Sequence, residues 1–186
     1  MMQTALANRT TTTPPRLARW HPRIARRPLL AATCLGACMG LLGTLCALLV
    51  LGLALQLLPP ELWGDSAAAS LAGLGQDRIF VLAILYAPVI ETLLGQLLPV
   101  ELARRLGAPP LACVLLSGLI FGCGHLVNGG LVHALTTFFS GMVFACAYLA
   151  MRWLGIGPAF LAAGSAHAVQ NGTILYLIAP LFPGSA

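Results

Sequence analysis

The chain has 186 residues, of which 59% are hydrophobic and only 8% are charged, and its formal net charge is +5. Soluble domains carry about 25% charged residues, so this composition excludes an ordinary soluble fold and predicts a membrane protein. We expect the lipid bilayer to be a partner of the chain and expect no nucleic-acid partner.

Residues 1–27 precede the first apolar run and hold six of the ten arginines. This region is rich in threonine and has no acidic residue, which predicts a flexible cytoplasmic tail whose arginines meet anionic lipid headgroups. The apolar run that follows is roughly twice as long as the 7–15-residue apolar region of a cleaved signal peptide. We therefore interpret it as a retained transmembrane helix.

Five apolar runs are long enough, or nearly long enough, to cross a bilayer, which requires about 17–25 residues per helix. None of them alternates polar and apolar residues as the strands of a membrane barrel do. The sequence therefore predicts an all-α polytopic membrane bundle with about five transmembrane helices. The runs are 28–58, 79–100, 111–127, 131–153 and 159–178, and residues 179–186 form a short C-terminal tail.

The placement of the arginines predicts how the bundle lies in the membrane. Arg104 and Arg105 join the second and third runs and Arg152 ends the fourth, so nine of the ten arginines, including those of the tail, share one side. The loop after the first run instead carries acidic residues, among them Glu61 and Asp65. The positive-inside rule then places the N-terminus in the cytoplasm and the C-terminus outside.

Four polar residues lie deep inside these apolar runs, namely Glu91, His125, His167 and Asn171. A charged side chain at the centre of a bilayer costs about 3 kcal/mol or more, so such residues are candidates for a functional site. At about 1.5 Å per residue from the cytoplasmic end of each run, the four groups lie roughly 12–21 Å deep. His167 and Asn171 share one helix face because they are four residues apart. The sequence thus predicts that the four side chains face one intramembrane cavity.

Three short motifs contain these residues, in the order Glu91-Thr92-Leu93-Leu94-Gly95-Gln96, Phe121 to His125, and His167 to Asn171. The set resembles the EExxxR, FxxxH and HxxxN motifs of the CPBP intramembrane proteases, a family that includes CAAX-processing endopeptidases and the Abi bacteriocin-immunity proteins. The resemblance covers roughly residues 78–178 and implies a four-helix intramembrane peptidase core.

The first motif departs from the family pattern at two positions. Thr92 stands where the family has a second glutamate, and Gln96 stands where it has an arginine. Replacing both charges together avoids leaving one of them unpaired in a medium of low dielectric constant. We therefore interpret Thr92 and Gln96 as a neutral pair, four residues apart and able to hydrogen-bond, that supports the retained Glu91.

The resemblance also implies a role for each site residue in peptide hydrolysis. Glu91 would be the general base on water, assisted by His125, while His167 and Asn171 would stabilise the oxyanion and Phe121 would position the groups around it. The substrate would be a membrane-associated peptide or protein, prenylated or not. Neither the cleavage site nor the oligomeric state follows from the sequence.

A metal-dependent mechanism is the main chemical alternative. Glu91, His125 and His167 are a plausible set of three ligands for a divalent ion such as zinc, with one open position for water. We favour the mechanism without a cofactor, because Asn171 on the face of His167 suits an oxyanion role better than a zinc site.

Two other classes of function remain possible from the sequence. His125 and His167 could be axial ligands of a b-type haem, although Glu91 and Asn171 would then have no role. A non-proteolytic immunity or regulatory protein would use the same residues only as polar contacts between helices. His133 is interpreted as a structural histidine, and Glu101 as a solvated charge at a helix end.

Overall fold

The structure is a computed structural model, and it describes residues 21–64, 71 and 73–181. The predicted basic tail up to residue 20 and the end of the chain from residue 182 lie outside the described residues. No strand occurs in the described part, so the predicted all-α fold is confirmed.

The helices are labelled here in chain order. They are α1 (His21–Arg26), α2 (Pro28–Leu57), α3 (Gln76–Arg105), α4 (Pro110–Val127), α5 (Gly129–Leu154) and α6 (Ile156–Gly172). Short 3₁₀ turns at Pro60–Leu62 and Ala179–Leu181 lie outside these helices, and π-helical turns extend α6 over Thr173–Ile178. Pro28 and Pro110 begin their helices, where a missing backbone N–H costs no intrahelical bond.

Four of these helices, α2 to α5, are long and apolar enough to cross a membrane. Most of their leucines point away from the protein, as expected of side chains that face lipid. The fifth predicted run is helical throughout, but its α-helix has only 17 residues before the π-helical turns begin. The described chain is therefore a polytopic helical bundle with four candidate membrane spans, followed by the shorter α-helix α6.

Helices α4 and α5 form a tight antiparallel hairpin around Gly130. This residue has φ 73° and ψ −172°, a conformation that only glycine adopts without strain, and it breaks an otherwise continuous run of helical turns. The loop that follows α2 touches this break, since a Cβ on Gly130 would lie 2.6 Å from the Cα of Gly64. The loop after α2 and the α4–α5 turn thus meet at one end of the bundle.

Helix α2 packs against α6 through glycines. Gly36, Gly40 and Gly43 are all buried, and a Cβ on Gly36 would lie 2.5 Å from the carbonyl oxygen of Ala162. Such close approach of two backbones through small residues is typical of helix pairs in membranes, where dispersion rather than the hydrophobic effect holds helices together. Helix α2 therefore supports the helix that carries His167 and Asn171.

The opposite end of the bundle is closed by an ion pair. Arg152 donates from Nε and Nη2 to the two carboxylate oxygens of Glu101, at 2.5 and 3.0 Å, and Tyr148 donates to the same carboxylate at 3.0 Å. The interpretation of Glu101 as a solvated charge is therefore wrong. Its partners lie about 50 positions later in the chain, so no local pattern indicates them.

Candidate active site

Glu91 lies on an irregular stretch of α3. The α-helical turn Ala87–Thr92 is flanked by π-helical turns at Phe80–Tyr86 and Leu93–Leu97. A proline follows each π-helical segment, namely Pro88 and Pro99, and a proline has no N–H to donate to the preceding turn. Wide π turns inside α-helices occur frequently at functional sites.

One oxygen of Glu91 faces two histidines from two other helices. Its Oε2 lies 3.4 Å from Nε2 of His125 on α4 and 3.6 Å from Nε2 of His167 on α6. The structure thus brings three of the four predicted polar groups to one point inside the bundle. Both separations are slightly longer than the roughly 2.7–3.2 Å typical of an N–H···O hydrogen bond.

His125 is held by a backbone hydrogen bond. Its Nδ1 lies 2.8 Å from the carbonyl oxygen of Phe121, one turn earlier. A carbonyl only accepts, so Nδ1 carries the proton and donates, which leaves Nε2 as the atom that faces Glu91. The ring of Phe121 also packs on the imidazole, with ring centroids 4.6 Å apart.

Phe121 packs against several of the site residues. Its ring contacts those of His125, Phe144 and His167, and a Cβ on Gly95 would lie only 2.8 Å from it. The glycine therefore leaves the space that the phenyl ring fills between α3 and α4. This packing suits the positioning role that the motif predicts for Phe121.

His167 is almost completely buried. Its ring stacks on Phe144 with centroids 4.9 Å apart, and its Nδ1 has no hydrogen-bond partner within the described residues. Sequence reasoning missed Phe144, because one phenylalanine in an apolar run gives no signal of its own. His133, for which the sequence predicts only a structural role, also lies near the site. Its ring centroid is 5.2 Å from that of His125.

Asn171 bonds to the backbone of α3. Its Nδ2 donates to the carbonyl oxygen of Ala83 at 2.9 Å, and this is its only side-chain hydrogen bond to the described residues. The bond lies one helical turn along α6 from His167 and two turns along α3 from Glu91. The structure therefore joins the amide to the Glu91 helix and gives it no hydrogen bond to the three central groups within the described residues.

Thr92 and Gln96 are fully buried but do not bond to each other. Thr92 Oγ1 and both polar atoms of the Gln96 side chain lack a hydrogen-bond partner in the part of the chain that the structure describes. The predicted hydrogen-bonded pair is therefore wrong. The reason is that π-helical turns begin at Leu93, directly after Thr92, so the α-helical relation between residues four apart does not hold.

The geometry also bears on the two cofactors considered from the sequence. Within the described residues, no group of three or more His, Cys, Asp and Glu side chains is arranged to hold a metal ion. Both histidine Nε2 atoms face the same carboxylate oxygen, so a haem between the two imidazoles would have to displace Glu91.

Comparison with known proteins gave one family. The family model described as type II CAAX prenyl endopeptidase Rce1-like matches residues 78–173, a little over half of the chain. The matched range contains all three motifs, helices α4 to α6 and all but the first two residues of α3. No curated protein and no solved structure matches the chain.

Proposed function

Because the chain belongs to the type II CAAX prenyl endopeptidase Rce1-like family, it is a membrane-embedded protease, and we propose that Glu91 is its general base. The observation that carries this proposal is the approach of one Glu91 oxygen to two imidazoles, at 3.4 and 3.6 Å. A carboxylate held beside two histidines can accept a proton from water and pass it on.

In the proposed reaction, water bound at Glu91 loses a proton to the carboxylate and attacks the carbonyl carbon of the scissile peptide. A C–O bond forms and the carbonyl becomes an oxyanion. The C–N bond then breaks, and the proton held by Glu91 goes to the leaving nitrogen. The products are a carboxylic acid and an amine, and transfer of the acid's proton to the amine gives a carboxylate and an ammonium group. His125 assists as the partner of Glu91, because its Nδ1 is occupied by Phe121 and its Nε2 is free to exchange a proton.

The oxyanion needs donors that are already in place before charge develops. We assign this role to His167 and Asn171, one turn apart on α6. An asparagine amide has two N–H groups, and the bond to Ala83 uses one of them and fixes the orientation of the other. Phe121 supports both histidines through its ring contacts.

We propose that no metal ion takes part, because the Glu91 carboxylate faces both imidazoles and can itself accept a proton from water. If a divalent ion such as zinc were bound, Glu91, His125 and His167 would hold it and it would activate water in place of the carboxylate. Removing divalent ions distinguishes the two mechanisms.

The proposed substrate is a membrane-associated peptide or protein, and the family description makes a prenylated CAAX end the first class to test. We further propose that the N-terminus is cytoplasmic and the C-terminus outside, from the side shared by nine arginines. A cytoplasmic prenylated tail would reach the site by lateral movement within the bilayer.

The test uses the full-length protein purified in detergent and a farnesylated, internally quenched peptide that ends in a CAAX sequence. We expect Glu91→Gln to lower kcat by about 10²–10⁴, the usual contribution of a general base, and His125→Ala to lower it strongly as well. Glu61→Gln is the matched control, because this exposed glutamate lies in the loop after α2. A chelator should leave the wild-type rate unchanged.

Two results would overturn the proposal. Full activity of Glu91→Gln would show that Glu91 is not the general base. Loss of wild-type activity in chelator, with recovery on adding zinc, would establish the metal-dependent mechanism instead.

A further inference from the structure

Two prolines interrupt the backbone hydrogen bonding of α3. Near each of them, a side chain from another helix donates a hydrogen bond to a backbone carbonyl of α3. In the π-helical segment Phe80–Tyr86 the bonds run between residues five apart, as in Ala87 N–H to the Leu82 carbonyl. The next donor in that series would be residue 88, which is proline and has no N–H. The carbonyl of Ala83 is therefore left without its helical partner.

Inside a membrane a free carbonyl must find another donor, because lipid offers none. Ala83 is buried, and its carbonyl accepts from Nδ2 of Asn171 at 2.9 Å. The partner residues lie 88 positions apart in the chain and on facing helices. Ile84, the residue after Ala83, lies against α6 as well, since a Cβ on Gly172 would be 3.7 Å from its Cδ1.

The second proline gives a comparison within the same helix. Pro99 lies four residues after Gly95 and cannot donate the α-helical bond to the Gly95 carbonyl, and Ser117 Oγ on α4 donates to this carbonyl at 2.6 Å. In both places a side chain on a neighbouring helix donates to a carbonyl of α3. The two side chains differ in that Asn171 belongs to the proposed oxyanion site, whereas Ser117 does not.

We propose that Pro88 is a positioning residue of the protease, which acts through Ala83 to orient the amide of Asn171. This inference rests on the proposed function, in which the second N–H of Asn171 stabilises the oxyanion. Because Pro88 has no N–H, the π-helical bond from residue 88 to the Ala83 carbonyl cannot form, and this carbonyl remains available to Asn171. Pro88, on the helix of Glu91, thereby orients an oxyanion donor on α6.

The variant Pro88→Ala tests this directly. Alanine supplies the missing N–H, so the π-helical series can continue from residue 88 to the Ala83 carbonyl in competition with Asn171. We expect kcat on the farnesylated peptide to fall about 10-fold or more and KM to change less than about 2-fold. Pro99→Ala is the matched control and should keep kcat within about 3-fold of wild type.

The double variant Pro88→Ala with Asn171→Ala shows whether the two residues act together. If the proline acts through the amide, the double variant has the same kcat as Asn171→Ala alone, within about 3-fold. If the loss of kcat in the double variant equals the product of the two single losses, the proposal is overturned. A wild-type kcat for Pro88→Ala would also overturn it. A merely structural role would lower the folded fraction and leave the kcat of the folded protein intact.

A second measurement does not depend on hydrolysis. The chain has three asparagines, at positions 8, 128 and 171, so ¹⁵N-asparagine labelling gives few side-chain amide signals. The Asn171 signal is the one lost in Asn171→Ala. We expect Pro88→Ala to shift it and speed its exchange with water, and Pro99→Ala to leave it unchanged. If this signal responds to Pro88→Ala while Asn171→Ala keeps full activity, the proposed oxyanion role has failed and the orienting role of Pro88 stands. An unchanged signal in Pro88→Ala would overturn the role of Pro88 itself.

Discussion

The contact between α2 and α6 predicts that a glycine outside the matched family range controls catalysis. In Gly36→Ala the new Cβ would lie 2.5 Å from the Ala162 carbonyl oxygen and 2.7 Å from the Ser165 Cβ. Ordinary van der Waals contact begins at 3.4 Å, so the helices must separate by about 0.9 Å at this point. The oxygen is a backbone atom, and no side-chain rotation can relieve the overlap.

The expected effects on stability and on catalysis differ in size. Overpacking typically costs about 1–3 kcal/mol, and alanine recovers up to about 1 kcal/mol because it forms helix better than glycine. The net loss of stability should therefore be about 2 kcal/mol at most. His167 lies two residues beyond Ser165, and a misplacement of about 1 Å can cost 10²-fold in rate. We expect kcat to fall roughly 10- to 100-fold, and the thermal midpoint in detergent to fall modestly.

Gly52→Ala is the matched control, because it makes the same exchange in the same helix where a Cβ would meet nothing within 4 Å. It should keep the wild-type kcat and raise the thermal midpoint slightly. The assay is the hydrolysis of the farnesylated peptide, corrected for the folded fraction of each variant. The reasoning fails if Gly36→Ala keeps the wild-type kcat, or if Gly52→Ala loses as much.

Three further predictions concern stability and are checked by thermal midpoints in detergent. Thr92→Val removes a buried hydroxyl that has no partner within the described residues and should stabilise the protein by about 1 kcal/mol; a lower midpoint would show that the hydroxyl is bonded. Glu101→Gln weakens the bidentate contact with Arg152 and should cost about 1–3 kcal/mol; an unchanged midpoint would contradict this. Gly130→Ala should cost about 1–2 kcal/mol for its positive φ alone, whereas Gly124→Ala, in open space, should cost nothing; equal midpoints for the two would count against the strain argument.

The helices could be predicted from the sequence because lipid leaves the backbone few options. An apolar run of spanning length must satisfy its own N–H and C=O groups, and a helix does so locally. The depth of each polar residue then follows from the rise of about 1.5 Å per residue, which placed Glu91 and His125 at nearly the same level. The structure puts their side chains 3.4 Å apart.

Other features depend on partners that a local pattern does not contain. The π-helical turns depend on two prolines together with Asn171 and Ser117, which lie on other helices. The failure of the predicted Thr92–Gln96 bond has the same origin, because those turns change which residues face each other. The ion pair of Glu101 likewise becomes visible only once α3 and α5 are packed.

The same physics explains why the irregular helix is the one that carries Glu91. A regular α-helix in lipid has no free backbone groups, so its neighbours have nothing polar to bond with and can pack at several rotations. Each proline of α3 frees one carbonyl, and a side chain on a neighbouring helix donates one hydrogen bond to it. Asn171 bonds α6, the helix that brings His167 to Glu91, and Ser117 bonds α4. The backbone bond that α3 gives up at Ala83 thus becomes the contact that aligns the helix of His167.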